Sequence, residues 1–348
     1  MTNRLSHLRP HLTRLRAQGQ THGGLPPPGR RSGLTFVAVL ALAAVLTPLL
    51  VTGVRRRLAR QALHASVAPI STPARIQPAP DLDAGLTIAV VGDFGRCHND
   101  GVECENEKAV AQLVDSWSPD YVITTGDNNY PRGEVTTMAI NLDPYRKYIE
   151  EGRFLPALGN HDWGCRECPR PHLNQFNPPG NGRYYFLPLG NLGVCVVDSD
   201  EQEPDGVEYD SVQARWLRDG LARNRDKLNL VFLHHPPYSS GHHGSSLYMR
   251  WPFADWGADG VFAGHEHSYE RLEVGGIQYF VNGSAGAGLR GFRRPLPGTR
   301  VRYAAAHGAQ RIVFDGETAT IEFWDTRRQK VDSVALSRRK VTAAASSR

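Results

Sequence analysis

The chain has 348 residues, 40% of them hydrophobic, with 35 Gly, 24 Pro and a formal net charge of +5. That length allows one large or two smaller domains with a proper core, and the composition is ordinary for a globular protein with many loops. The positive sign belongs to the ends: residues 1–84 hold 11 Arg and 2 Asp, and 338–348 add four basic residues, whereas 85–337 carry 25 basic and 33 acidic residues. No nucleic-acid partner is expected of such an acidic domain, because the phosphate backbone calls for a basic face.

In chain order, residues 1–33 are polar, basic and rich in Pro and Gly, and read as disordered. Leu34 to Val54, "LTFVAVLALAAVLTPLLVTGV", carries no charge and is long enough to cross a bilayer, with Pro48 tolerable in lipid. No small-x-small cleavage site follows closely, so an uncleaved anchor is expected, with secretion after cleavage as the alternative. Arg30 and Arg31 before it and Arg55, Arg56 and Arg57 after it leave its orientation undecided. Residues 55–84 are a Pro/Ala-rich linker, and the folded domain is expected over 85–337.

"LTIAVVGD" opens that domain as a nearly continuous apolar strand, and "ENEKAVAQLVDSW" follows with helical spacing. "YVITTGD" and "FLPALGN" are a second and a third strand. The hairpin-like pair "RYYFLPLG" and "GVCVVDSD" leads to a helix, "SVQARWLRDGLARNRD". Strands then dominate: "LVFLHH", "GVFAGHEH", "IQYFVNG", "RIVFDG" and "TATIEFWD". The expectation is an α/β layered domain of two face-to-face sheets with helices outside. Cys97 and Cys104 share one short loop, Cys165 and Cys168 form a CxxC, and Cys195 stands alone in an apolar run. Two local disulfides and one buried thiol are expected, favouring an oxidising compartment; the alternative is that all five are reduced.

Polar residues recur at the strand ends: Asp93, Asp127, Asn160 with His161, His234, and His265 with His267. Taken singly, an Asp or Asn after a strand is a turn former. Five strand ends that all finish in oxygen or imidazole donors point instead to a shared metal site at the carboxyl edge of a sheet. Such donors, without thiolate, suit iron, manganese or zinc. They are too many for one ion with an open position; two ions bridged by a carboxylate would use them all, and would clamp a phosphoryl group and generate hydroxide.

Asp93-Phe94-Gly95, Gly126-Asp127-Asn128-Asn129-Tyr130, Gly159-Asn160-His161-Asp162, Val231-Phe232-Leu233-His234 and Gly264-His265-Glu266-His267 resemble, in order, the five motifs of the purple acid phosphatases, within the calcineurin-like metallophosphoesterases. Most of that superfamily has a histidine where Gly95 stands and no tyrosine where Tyr130 stands; in purple acid phosphatases the loss and the gain go together. The resemblance implies a four-layer α/β/β/α sandwich of two mixed β-sheets. It implies Fe(III) on Asp93, Asp127, Tyr130 and His267, and a divalent ion (Fe, Zn or Mn) on Asp127, Asn160, His234 and His265. Asp127 would bridge, and Glu266 would point away. His161 would protonate the leaving alkoxide, and His243 sits at the spacing of a phosphate-contacting histidine of the smaller mammalian-type members. His235 and His242 are read as bystanders, and Tyr269 and Arg271 as candidates to line the pocket.

The implied activity is hydrolysis of phosphate monoesters by attack of hydroxide on phosphorus, with a phosphodiesterase or nucleotide hydrolase as the main alternative and a non-catalytic tethered binding protein as a remote one. Loops 129–153, 162–182 and 286–308 would choose the substrate. The cysteine pairs and a ferric site suit a catalytic domain outside the membrane, against the positive charge of Arg55, Arg56 and Arg57.

Overall fold

The computed structural model describes residues 85–99 and 101–338, together with Ala68, Ile70, Ser71 and Ile76. The expected disordered terminus, the apolar segment 34–54, most of the linker and the tail beyond 338 lie outside the described residues. Among the described residues no helix is long and apolar enough to cross a membrane.

Strand β1 (Leu86–Val91) shows how the layers arise. Its side chains alternate, so Leu86, Ile88 and Val90 enter one core, and Ala89 and Val91 enter another. Strand β6 (Leu228–Phe232) does the same on the far side. Its Leu228, Leu230 and Phe232 meet the β1 residues in the central core, and Val231 faces outward. The outer core on the β1 side is closed by helix α1 (Val102–Asp115) through Val110, Ala111 and Val114, and by α2 (Val135–Leu142) and α3 (Arg146–Glu150). A further short helix, α4 (Arg170–Phe176), places Phe176 in the same core. On the β6 side Ala214, Leu217 and Leu221 of α5 (Val212–Arg223) and Phe253 of α6 (Phe253–Trp256) close the other face. Two sheets packed face to face with helices outside are therefore present, as expected.

The first sheet has the order β13 (Lys330–Ser337), β12 (Thr318–Asp325), β11 (Gly308–Phe314), β1, β2 (Tyr121–Thr124), β3 (Phe154–Leu155). The second has the order β10 (Thr299–Tyr303), β8 (Tyr269–Val274), β9 (Ile277–Asn282), β7 (Gly260–Ala263), β6, β5 (Leu192–Val196), β4 (Tyr185–Leu189). Both are mixed: β1, β2 and β3 run parallel, as do β5, β6, β7 and β9, while the outer pairs are antiparallel. Five of these parallel strands end in the residues singled out above.

Strands β8, β10 and β13 were not expected, because their sequences are laced with charge. The fold explains β8. Tyr269 stacks on Phe323 at 4.0 Å between ring centroids and donates to Asp332 Oδ2 at 2.7 Å. Arg271 donates to both oxygens of the same carboxylate at 2.6 and 3.0 Å. These two residues tie the sheets together through β13 and do not line the pocket, which corrects that reading. Cys97 is bonded to Cys104 and Cys165 to Cys168, and Cys195 is a buried free thiol, in line with the expected count.

Candidate metal centre

The carboxyl ends of β1, β2 and β3 carry Asp93, Asp127 and Asn160, and those of β6 and β7 carry His234, His265 and His267. The site thus lies where the two sheets open toward one edge. Asp93, Asp127 and His265 adopt φ values of 57°, 55° and 68°. A non-glycine residue pays strain in that left-handed region, and three such residues at one edge mark a place where backbone ease has yielded to side-chain aim. The neighbouring glycines make room. A Cβ on Gly159 would collide with Asp127, and one on Gly264 would come within 2.6 Å of Asp93 Oδ2.

The donor atoms fall into two groups that share Asp127. In the first, Tyr130 Oη lies 2.9 Å from Asp127 Oδ2, 3.3 Å from Asp93 Oδ1 and 3.4 Å from His267 Nε2, and His267 Nε2 lies 3.4 Å from Asp93 Oδ1. In the second, His234 Nε2 lies 3.5 Å from Asp127 Oδ1 and 3.0 Å from Asn160 Oδ1, and His265 Nδ1 lies 3.1 Å from Asn160 Oδ1 and 3.3 Å from His234 Nε2. Asp127 presents one oxygen to each group. All seven residues expected to hold metal converge here, and Glu266 Oε1 accepts from Gly244 N.

Backbone carbonyls fix two of the imidazoles. His234 Nδ1 lies 2.8 Å from Thr125 O and His267 Nδ1 lies 3.0 Å from Gly288 O. A carbonyl only accepts, so each Nδ1 carries the proton and each Nε2 turns a lone pair to the centre. In the first group one phenolic proton is then shared among two carboxylate oxygens and a bare nitrogen. Acceptors converging on acceptors in a buried place call for a cation, and an oxygen and imidazole set matches iron, zinc or manganese. Burial, then the charges of Asp127 and Asp93, push the Tyr130 phenol well above its usual 10, so a strongly Lewis-acidic ion is needed to make it a phenolate. Burial and the neighbouring His234 pull His265 down to about 2, leaving a neutral ring able to ligate.

His161 sits at the open side, with 37% of its side chain exposed. Its backbone N–H donates to Asp127 Oδ1 at 2.8 Å, its Nδ1 donates to Pro131 O at 2.6 Å, and its Nε2 is left 3.9 Å from Asp127 Oδ2. His243 is close by, its ring 4.5 Å from that of His265, but its Nε2 is engaged by the guanidinium of Arg290.

Four residues beyond the expected set hold the site in shape. Asp162 accepts from the backbone N–H groups of Gly159, Asn128 and Asn129 at 3.0 to 3.2 Å, fastening the Asp127 loop to the Asn160 loop. Glu266 Oε1 accepts from Gly244 N at 2.6 Å and so moors the loop that carries His243. Ser199, at the end of β5, takes the N–H groups of His234 and His235 on its hydroxyl at 3.1 and 2.8 Å. His235, read as a bystander, packs its ring 4.7 Å from His265 and bonds Ser199 Oγ through Nδ1 at 3.1 Å. A carboxylate two or three residues from a predicted ligand was the one available signal for Asp162; nothing in the sequence pointed to Ser199.

A profile described as calcineurin-like phosphoesterase matches residues 86–269. The chain is 24% identical over 248 residues to human tartrate-resistant acid phosphatase type 5, covering 59% of this chain and 75% of that enzyme. It is 26% identical over 234 residues to the Fe(3+)-Zn(2+) purple acid phosphatase 12 of Arabidopsis thaliana, covering 60% of this chain and 48% of that one. Against a purple acid phosphatase from yellow lupin (Lupinus luteus) seeds the TM-score is 0.61 at 18% identity, over 77% of this chain and 55% of the other. The shared fold is thus established, while this chain spans only about half of the two plant proteins.

Proposed function

The chain belongs to the calcineurin-like phosphoesterases, and on that premise we propose that it is a metal-dependent acid phosphatase of the purple acid phosphatase kind, acting on phosphate monoesters. The observation that carries this reading is the divided carboxylate of Asp127, with Oδ2 among Asp93, Tyr130 and His267 and Oδ1 beside His234. Asp93, Asp127, Tyr130 and His267 would hold Fe(III), and Asp127, Asn160, His234 and His265 a divalent ion. The metals in the name of the Arabidopsis relative support that assignment. Two ions so held supply charge stabilisation for the phosphoryl group and a nucleophile available in mild acid. Tyr130 supplies the anionic oxygen that favours a trivalent ion. His161 would act as general acid: its Nδ1–H is spent on Pro131 O, which leaves Nε2 to hold a proton for the leaving alkoxide. His243, its ring 4.5 Å from that of His265, would contact the phosphate.

We also read residues 34–54 as a membrane anchor with the catalytic domain outside, a placement that the two disulfides favour. Protection of the catalytic domain from protease in intact cells would overturn that placement. For the activity, purified protein is expected to contain two metals per chain, one of them iron, and to turn over p-nitrophenyl phosphate in mild acid. A colourless, fully active protein with two zinc or manganese ions would refute the ferric assignment, and absence of both metal and turnover would refute the enzyme.

A further inference from the structure

The segment that leaves β9 is sewn to the site by its backbone. Ala285 N donates to Gly92 O at 3.1 Å, Ala287 N to Asp93 O at 2.9 Å, Arg290 N to His267 O at 2.9 Å, and Arg293 N to Ser240 O at 2.7 Å. Gly288 O, in the same run, orients His267. This is a built wall running from the residues around Asp93 to the loop that carries His243. It delivers Arg290 and Arg293 to the rim.

Several arginines near the site and in the sheets have a carboxylate partner. Arg96 is paired with Glu103, Arg183 with Glu203, Arg271 with Asp332 and Arg311 with Glu322. Arg290 instead rests its guanidinium on His243 Nε2, an acceptor with no charge to offer, and Arg293 reaches past Gly244, where an added Cβ would lie 3.8 Å from its Nη1. Among the described residues neither forms an ion pair with a carboxylate. Two acids of the neighbouring segments have other partners: Glu266 Oε1 accepts from Gly244 N, and Glu103 pairs with Arg96. The domain as a whole is acidic, yet this rim carries two guanidinium groups that none of its carboxylates pairs among the described residues.

The position says what they face. His243 packs its ring 4.5 Å from His265, and Arg290 lies on the far nitrogen of that ring. Arg290 is therefore a full imidazole further out than the donor atoms. Resting on the phosphatase reading above, we propose that the alcohol part of an ester bound at the donor atoms extends toward Arg290, and that Arg290, backed by Arg293, binds a second anionic group on it. The preferred substrates are then phosphate monoesters that also carry a carboxylate or another phosphate. A planar guanidinium fork suits both oxyanions, and charge-assisted pairs of this kind are the strong ones.

The test compares 3-phosphoglycerate with glycerol 3-phosphate on the purified, metal-loaded full chain. The two differ by one carboxylate. The wild type is expected to favour 3-phosphoglycerate in kcat/KM by roughly tenfold or more, the size of one charge-assisted pair. Arg290→Gln should collapse the ratio toward one, chiefly through the KM of the carboxylate substrate, and Arg290→Lys should recover most of it. A wild-type ratio near one overturns the inference while the phosphatase reading stands. So does an Arg290→Gln that slows both esters equally, which would make Arg290 a prop for His243. No turnover of either ester or of p-nitrophenyl phosphate removes the phosphatase reading and this inference with it.

Discussion

The backbone N–H of Tyr130 donates to the carbonyl oxygen of Gly95 at 2.8 Å. The two positions whose residue types depart together from the superfamily pattern are thus in direct contact. A Cβ on Gly95 would fall on the carbonyl of Asn128, so no side chain fits there while the Tyr130 loop lies as it does. Glycine at 95 lets the loop close down, and the closed loop brings the phenol to the carboxylates.

Tyr130→Phe keeps the ring and removes the oxygen 2.9 Å from Asp127 Oδ2. The expected outcome is loss of the visible charge-transfer band and of about 10- to 100-fold or more in iron affinity, with the fold retained. Absorption spectra, metal analysis and circular dichroism check it. Gly95→His should not restore the site, because the added side chain pushes the loop away.

Replacing His161 with alanine should separate substrates by leaving group. Alkyl phosphates should lose about 100- to 10,000-fold in kcat, the usual span of general acid catalysis, and nitrophenyl phosphate much less. Equal losses on both would remove His161 from that role.

Stripping the ions with a chelator should lower the melting temperature as well as the activity. Ligands that bind only the folded chain stabilise it by mass action, about 4 kcal/mol at a thousand times Kd. Asp127→Ala should abolish the response to both metals, since its two oxygens serve both groups. Loss of only one metal would mean that Asp127 does not bridge.

The Arg271–Asp332 pair between the sheets predicts a pH effect away from the site. Burial would raise the Asp332 carboxyl, but hydrogen bonds from Arg271 and Tyr269 outweigh it and hold the group below its ordinary 3.8. A lowered folded value means that the stabilisation is complete above the unfolded pKa and fades as pH falls through the folded one. Asp332→Asn should therefore cost about 3 kcal/mol at pH 7, as breaking a largely buried pair does, and progressively less below about pH 4. Urea midpoints across that range test the sign.

The donors were readable because each sits at the end of an apolar run that can only be a buried strand, and the end of a parallel strand has a fixed direction. Grouping them into two sets, and assigning His161, drew on resemblance. The braces were hidden for a different reason. Ser199 and Glu266 act by accepting backbone N–H groups from loops remote in sequence, and such a partner leaves no trace in residue type; Asp162 was signalled only by its nearness to Asn160. Strand β8 was hidden by its own Glu270 and Arg271. Glu270 accepts hydrogen bonds from Ser239 and Ser240 on the loop after β6, and Arg271 pairs with Asp332 of the other sheet, partners that only the folded chain supplies. Arg290 was legible as a charge but not as an uncompensated one.

The division of donors between the sheets has a consequence for how the protein comes into being. Asp93, Asp127 and Asn160 belong to the half synthesised first, and the histidines follow only from position 234 onward. A nascent chain therefore displays the oxygen donors long before it has any imidazole donor from this set to offer. The long-range pairing that brings β1 beside β11 comes later still. Choice of metal is thus deferred until the sheets dock, and an ion bound across them is a cross-link that reports completed folding.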